Sequence, residues 1–344
     1  MPSWFDTVLD LATKAMRTRG QDYFLGQLTA ESGASPSETL RKDHDYVTIR
    51  IRSFRIVNVR EGTGRFYGSV QSRAHYLHTG KGPVEHEKVL VPEFKEMDAA
   101  HVDRVLVVDK PVLGPVPYIG ALSLELGLFS VKATDLAAPY LQLLTGLAET
   151  AGMVTMGAAH PYVEILRKGT GLLFGNDKQS SLEIGMDKTW PDSLSTGTWL
   201  LMRAPRNEID LSQLRLNPSD GKITGVNGAS IERFPYLVFG IERSQERDDW
   251  MTLPELKSAM ADIEQAVKDG RSDDAEKLFE RFIVVARWCP DLVPADAQRL
   301  ARKIKEKLLP IIQSIESRTT ISKRKEVRSF PSLEWLDLYD RETN

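Results

Sequence analysis

A single cysteine, Cys289, stands in the 344 residues. It excludes an intramolecular disulfide and every cysteine-cluster zinc or iron–sulfur site, and it fits a reducing compartment, so a cytoplasmic location is expected. Long apolar runs are also missing. No uncharged stretch reaches the roughly 18 residues that a spanning helix needs, and no constitutive membrane span is expected. The opening Met-Pro-Ser-Trp-Phe-Asp carries an acid where a secretory leader needs basic residues, so export by the usual route is not expected. An excess of one charge is absent as well: 45 Lys and Arg face 48 Asp and Glu, a formal charge of −3. Nothing in that balance draws the whole molecule to nucleic acid or to an anionic membrane.

Catalytic signatures are lacking in the same way. The sequence has no Gly-x-Ser-x-Gly elbow, no His-Glu-x-x-His helix and no Walker Lys-Ser/Thr after its glycine-rich "EGTGRFYG". The commonest motif-bearing hydrolases and redox enzymes are disfavoured. No cofactor and no metal are expected.

What is present is the composition of a soluble globular protein, 41% apolar and 27% charged, long enough for two domains. Residues 3–19 read as a short amphipathic helix, with Ser3 as its cap and Trp4, Val8, Leu11, Ala12 and Ala15 at helical spacing. Residues 29–45, "TAESGASPSETLRKDHD", read as a linker, so 1–45 form an N-terminal helix and linker.

From Tyr46 the period changes to two. Val47, Ile49 and Ile51 alternate with Thr48, Arg50 and Arg52; Phe54 and Ile56 then take the opposite parity, which a bulge near Ser53 explains. "REGTGR" reads as a turn, and "FYGSVQSRAHYL" as the returning strand of a hairpin. Further β-rich runs follow at "KVLVP", "RVLVVD", "YIGALSLELGLFSV", "SSLEIGMD", "GTWLLMRAP" and "YLVFGIER". Strands without regular helix alternation predict an α+β protein with an antiparallel β-sandwich-like domain over 46–246.

One stretch interrupts the β pattern. Residues 134–175 predict an inserted helical hairpin: Leu136, Tyr140, Leu143, Leu144, Leu147 and Ala151 form one stripe, and Tyr162, Ile165 and Leu166 face inward from a second helix. Packing in a soluble core is the expectation. The alternative is a regulated membrane-acting effector that releases this pair onto a bilayer, meeting lipid with Leu143, Leu144, Leu147, Ile165 and Leu166.

Residues 247–317 predict C-terminal helices. The first carries a Thr252/Glu255 capping box, an apolar face of Leu253, Leu256, Met260, Ile263 and Val267, and a terminating Gly270. The second is stopped by Pro290, and a third over 294–317 breaks near Pro310. The tail, 318–344, is first basic ("SKRKEVR") and then acidic and aromatic ("FPSLEWLDLYDRETN").

For chemistry, His75, His78 and His86 lie with Glu85 and Glu87 inside a dozen residues, the inventory of a metal site. On a strand, however, His75 and His78 have opposite parity and diverge. "DHD" at 43–45 offers an acid/base inventory on adjacent residues, which also diverge. "IERSQERDDW", 241–250, reads as structural, with Arg247, Asp248 and Asp249 supplying ion pairs and a cap while Trp250 seals the domain junction; the alternative is recognition of a charged ligand through Arg243 and Arg247. The tail residues Phe330, Leu333, Trp335, Leu336 and Tyr339 are too large and apolar for an idle end, and are expected to anchor a partner or dock back. The expected function is a non-enzymatic protein-binding or scaffold protein whose partner is another protein, met through the tail or the β surface, with nucleic acid not expected. A second alternative is an enzyme whose site is assembled only by the fold.

Overall fold

The computed structural model describes residues 21–28, 37–57, 60–61, 64–90, 105–133, 180–205, 208–217 and 219–322. The expected helices at 3–19 and 134–175 and the aromatic tail lie outside these residues. The described residues fall into two compact units, one of β-sheets and one of helices; the helical unit runs from Ser244 and also takes in Arg41–Tyr46 and Pro115–Tyr118.

Twelve strands are described: β1 (Gln21–Gln27), β2 (Tyr46–Arg55), β3 (Arg60–Glu61), β4 (Gly64–His78), β5 (Gly82–Leu90), β6 (Leu106–Pro117), β7 (Leu122–Ala133), β8 (Ser180–Trp190), β9 (Gly197–Pro205), β10 (Leu214–Leu216), β11 (Ile223–Gly225) and β12 (Tyr236–Ser244). One sheet has the order β1-β9-β12-β2-β6. The other has β3-β4-β7-β8 with β5 also paired to β4, and β10 and β11 form a small ribbon. The pairings β1 with β9, β9 with β12, β4 with β5, β4 with β7 and β7 with β8 are all antiparallel. The chain is therefore α+β with a sheet-rich core, as its strand pattern without helix alternation requires.

The two sheets touch at identifiable places. A Cβ on Gly68 of β4 would come 2.3 Å from the Phe54 ring of β2, so glycine is what lets the ring lie on the second sheet. Trp190 of β8 meets Trp199 of β9 edge to face at 5.9 Å, and Trp199 stacks on Phe239 of β12. The other face of β9 and β12 is buried too: Leu200, Met202, Ala204, Tyr236 and Val238 pack with Leu214 and Ile223 of the ribbon.

The parity switch in β2 has a physical cause in these layers. Arg52 lies beside Gly240 of β12, on the ribbon side of the sheet, and Ser53 Oγ donates to the Gly221 carbonyl beside the ribbon at 2.8 Å. Two consecutive side chains on one face are what a bulge produces, after which Phe54 turns to the second sheet. The expected hairpin needs a correction. Glu61 does stand opposite Gly64, but only the two-residue β3 pairs there with β4. The long β2 lies in the other sheet, between β12 and β6.

In the helical unit, α1 (Pro254–Lys268), α2 (Ser272–Trp288) and α3 (Pro294–Ser322) share one core. The stripe Leu256, Met260, Ile263 and Val267 is buried as its spacing requires. Helix α1 ends in a Schellman arrangement: Gly270 has φ +70, Arg271 N–H donates to Ala266 O at 2.9 Å and Gly270 N–H to Val267 O at 3.0 Å. Its start differs from expectation. Pro254 takes the first helical position, so Leu253 is the cap residue, and Thr252 sits in a preceding 3₁₀ turn with its hydroxyl donating to Asp249 O at 2.7 Å. Helix α3 runs through Pro310 and does not break there. Leu308, Ile312 and Ile315, on both sides of the proline, are buried in the same core, and that packing offsets the lost backbone bond.

Candidate functional site

The histidine and glutamate candidates lie on the β4–β5–β7 sheet, and the ladder decides which of them meet. Arg73 stands opposite Glu87 and Glu125, and His75 opposite Glu85 and Ser123. Since side chains alternate, Arg73, His75, Glu85, Glu87 and Glu125 share one face. The Arg73 guanidinium reaches all three acids: Nε is 2.9 Å from Glu85 Oε1, Nη2 is 2.7 Å from Glu87 Oε1, and Nη1 is 3.5 Å from Glu125 Oε2. His75 Nε2 lies 3.4 Å from Glu125 Oε1.

Three carboxylates around one guanidinium leave an excess of negative charge in a partly dry place. Burial raises the Glu87 carboxyl; Arg73 pulls it back down, and neighbouring Glu85 pushes it up again. Burial works against the charge of Arg73, but Glu87, Glu125 and Glu85 together hold its guanidinium above the ordinary value. This arrangement clamps three strands. Its solvent-reaching members are His75 and Glu85, both partly exposed.

The other two histidines are on the opposite face. His78 is buried, and its Nδ1 accepts from the Gly80 N–H at 3.2 Å. His86, opposite Ala74, bonds the Val112 backbone; burial, then the Lys88 ammonium, depress its imidazole. Among the described residues no group of three or more His, Cys, Asp or Glu is disposed to hold a metal ion.

At "DHD" the neighbours do diverge. Asp45 is fully buried and accepts from the Arg41 N–H at 2.7 Å, His44 Nδ1 lies 2.9 Å from the Lys42 carbonyl, and Asp43 has φ 61. In "IERSQERDDW", Arg247 pairs with Asp249 at 2.8 Å, and Trp250 is buried edge-on against Phe282 at 5.9 Å. Both stretches are absorbed by structure.

The tail residues Phe330, Leu333, Trp335, Leu336 and Tyr339, and the 134–175 set Leu143, Leu144, Leu147, Ile165 and Leu166, lie outside the described residues. Among the described helices none is long and apolar enough to cross a membrane.

No family model, curated protein or solved structure matches the chain.

The most exposed apolar surface among the described residues is one that sequence reading missed. On α2 the inward stripe is Ala275, Phe279, Phe282 and Ala286. Val284 and Trp288, one turn apart, fall on the opposite side, 57% and 79% exposed. Lys277, Arg281 and Arg287 are exposed around them, with Glu280 on one edge. The signal was legible in "LFERFIVVARW": once Phe279, Phe282 and Ala286 define the buried face, Val284 and Trp288 are apolar residues out of place. The sequence reading took this run only as a second helix stopped by Pro290.

Proposed function

We propose that this chain is a non-enzymatic protein-binding or scaffold protein whose binding surface includes the outer face of α2. The observation that carries the reading is the Val284–Trp288 pair. A tryptophan left largely in water on a helix whose other side is fully packed contributes nothing to that core, and a large aromatic among arginines is the composition of an interface hot spot. The basic rim selects acidic partners.

Affinity capture with the full chain, compared quantitatively with the Trp288→Ala and Val284→Asp variants, tests it. Recovery of a specific protein set should fall at least tenfold in both variants while their melting temperatures stay near that of the parent. Identical recovery from all three would remove α2 as the binding surface.

The assembled-site enzyme is favoured by one observation, the half-exposed His75 beside Glu85 and Glu125 with the raised Glu87 carboxyl nearby. Against it stands the engagement of all three carboxylates by Arg73, which leaves them as parts of a clamp and ties up the groups a general base would need.

A further inference from the structure

We infer that the acidic, aromatic segment 330–342 of this chain is the intramolecular occupant of the α2 outer face. The inference rests on the reading of that face as a protein-binding surface and names its first ligand. Its basis is complementarity in two properties at once. The face offers a valine and a tryptophan between Lys277, Arg281 and Arg287, three bases against the one acid Glu280 on its edge. The segment offers Phe330, Leu333, Trp335, Leu336, Leu338 and Tyr339 interspersed with Glu334, Asp337, Asp340 and Glu342, against the single base Arg341. An apolar anchor with an acidic surround fits an apolar pair with a basic surround, and a mismatch of either property would disfavour the pairing.

Reach is compatible. Residues 289–293 return the chain from α2 into α3, so Trp288 lies near the start of α3, whose 29 residues extend about 43 Å at 1.5 Å per residue. The segment begins eight residues after Ser322, where α3 ends, and Tyr339 follows seventeen residues after it. Extended chain covers at most about 3.4 Å per residue, so these residues reach from roughly 27 to 58 Å, a range that includes the distance back to Trp288. The exposed face from Lys277 to Trp288 is about 17 Å long, which an extended stretch of five or six residues spans.

A labelled peptide of residues 326–344 serves as the probe in fluorescence anisotropy, with full-length chains as receptors. In a full-length chain carrying Trp335→Ala and Leu336→Ala, the α2 face should be open and bind the peptide saturably. The unaltered chain, its face already occupied, should bind at least tenfold more weakly. Adding Trp288→Ala to the opened chain should abolish binding, and adding Arg281→Glu with Arg287→Glu should weaken it at least tenfold. A peptide carrying Glu334→Lys and Asp337→Lys should recover affinity for that charge-reversed receptor.

Equal binding by the opened and unaltered chains would overturn the intramolecular occupancy in favour of a second copy or a foreign partner. Absence of saturable binding, or binding indifferent to Trp288→Ala, would overturn the pairing itself. Partner capture lost in Trp288→Ala under either result would still leave the protein-binding reading standing, so the two failures are distinguishable.

Discussion

The Tyr46 hydroxyl donates to Asp296 Oδ2 at 2.9 Å while accepting from the Val293 N–H, also at 2.9 Å. Asp296 is buried, and it also accepts from the Arg247 N–H at 2.9 Å and from Arg299 Nε at 2.7 Å. The helical unit therefore satisfies the otherwise orphaned start of α3 with a tyrosine 247 residues away in sequence. Burial first, then the neighbouring Asp296 carboxylate, push the phenol far above its ordinary range, so Tyr46 stays neutral and remains a donor.

Truncation at this junction should be asymmetric. Tyr46→Phe removes one hydroxyl and leaves the Val293 N–H and Asp296 each short of a partner, at a cost of about 1–3 kcal/mol. Asp296→Ala strands the hydroxyl, the Arg247 N–H and the Arg299 guanidinium together, and should cost on the order of 3–5 kcal/mol. Urea unfolding measures both; similar and small losses would show that the junction is not a stabilising one.

Gly68→Ala should destabilise by about 1–3 kcal/mol, because the new methyl must occupy space held by the Phe54 ring. Phe54→Leu costs packing by itself, yet it makes room for that methyl. The double variant should consequently lose less stability than the two single losses added. Strict additivity would place the ring and the glycine out of contact.

Acidification should weaken the fold through His86. Its folded pKa lies below the ordinary 6.5, so neutral imidazole is the form this half-buried site prefers. The associated stability is fully present above about pH 6.5 and is lost as the pH falls through the lower folded value. His86→Gln should flatten the melting-temperature decline between pH 7 and pH 5. An unchanged slope in His86→Gln would point to another titrating group.

Cys289 is buried at the end of α2, and burial pushes its thiol up, so little thiolate forms at neutral pH. Iodoacetamide should label it slowly in the native chain and rapidly in urea, at a rate that follows opening of the helical unit. Labelling at the speed of a free thiol under native conditions would contradict its place in the core.

Much of the candidate face was written in the strand period. His75 and His78 do part at alternate positions. Arg73 and Glu125 were passed over because their pairing depends on register: they lie 52 residues apart and become neighbours only when β4 and β7 align Arg73 opposite Glu125. The strand β1 was overlooked for a related reason. "QDYFLGQ" is polar and glycine-containing, and its strand identity comes from pairing along β9.

By itself the sequence determined the local periodicities: alternation from Tyr46, the buried stripe of α1, the Gly270 stop and the end of α2 before Pro290. Each depends on residues within a turn or two, where side-chain direction follows from backbone geometry alone. Tertiary structure decided the rest. It assigned β2 and β4 to different sheets, carried α3 through Pro310, and capped that helix with Tyr46. Those outcomes depend on contacts between residues distant in sequence, and local pattern carries no term for a partner that only folding brings near.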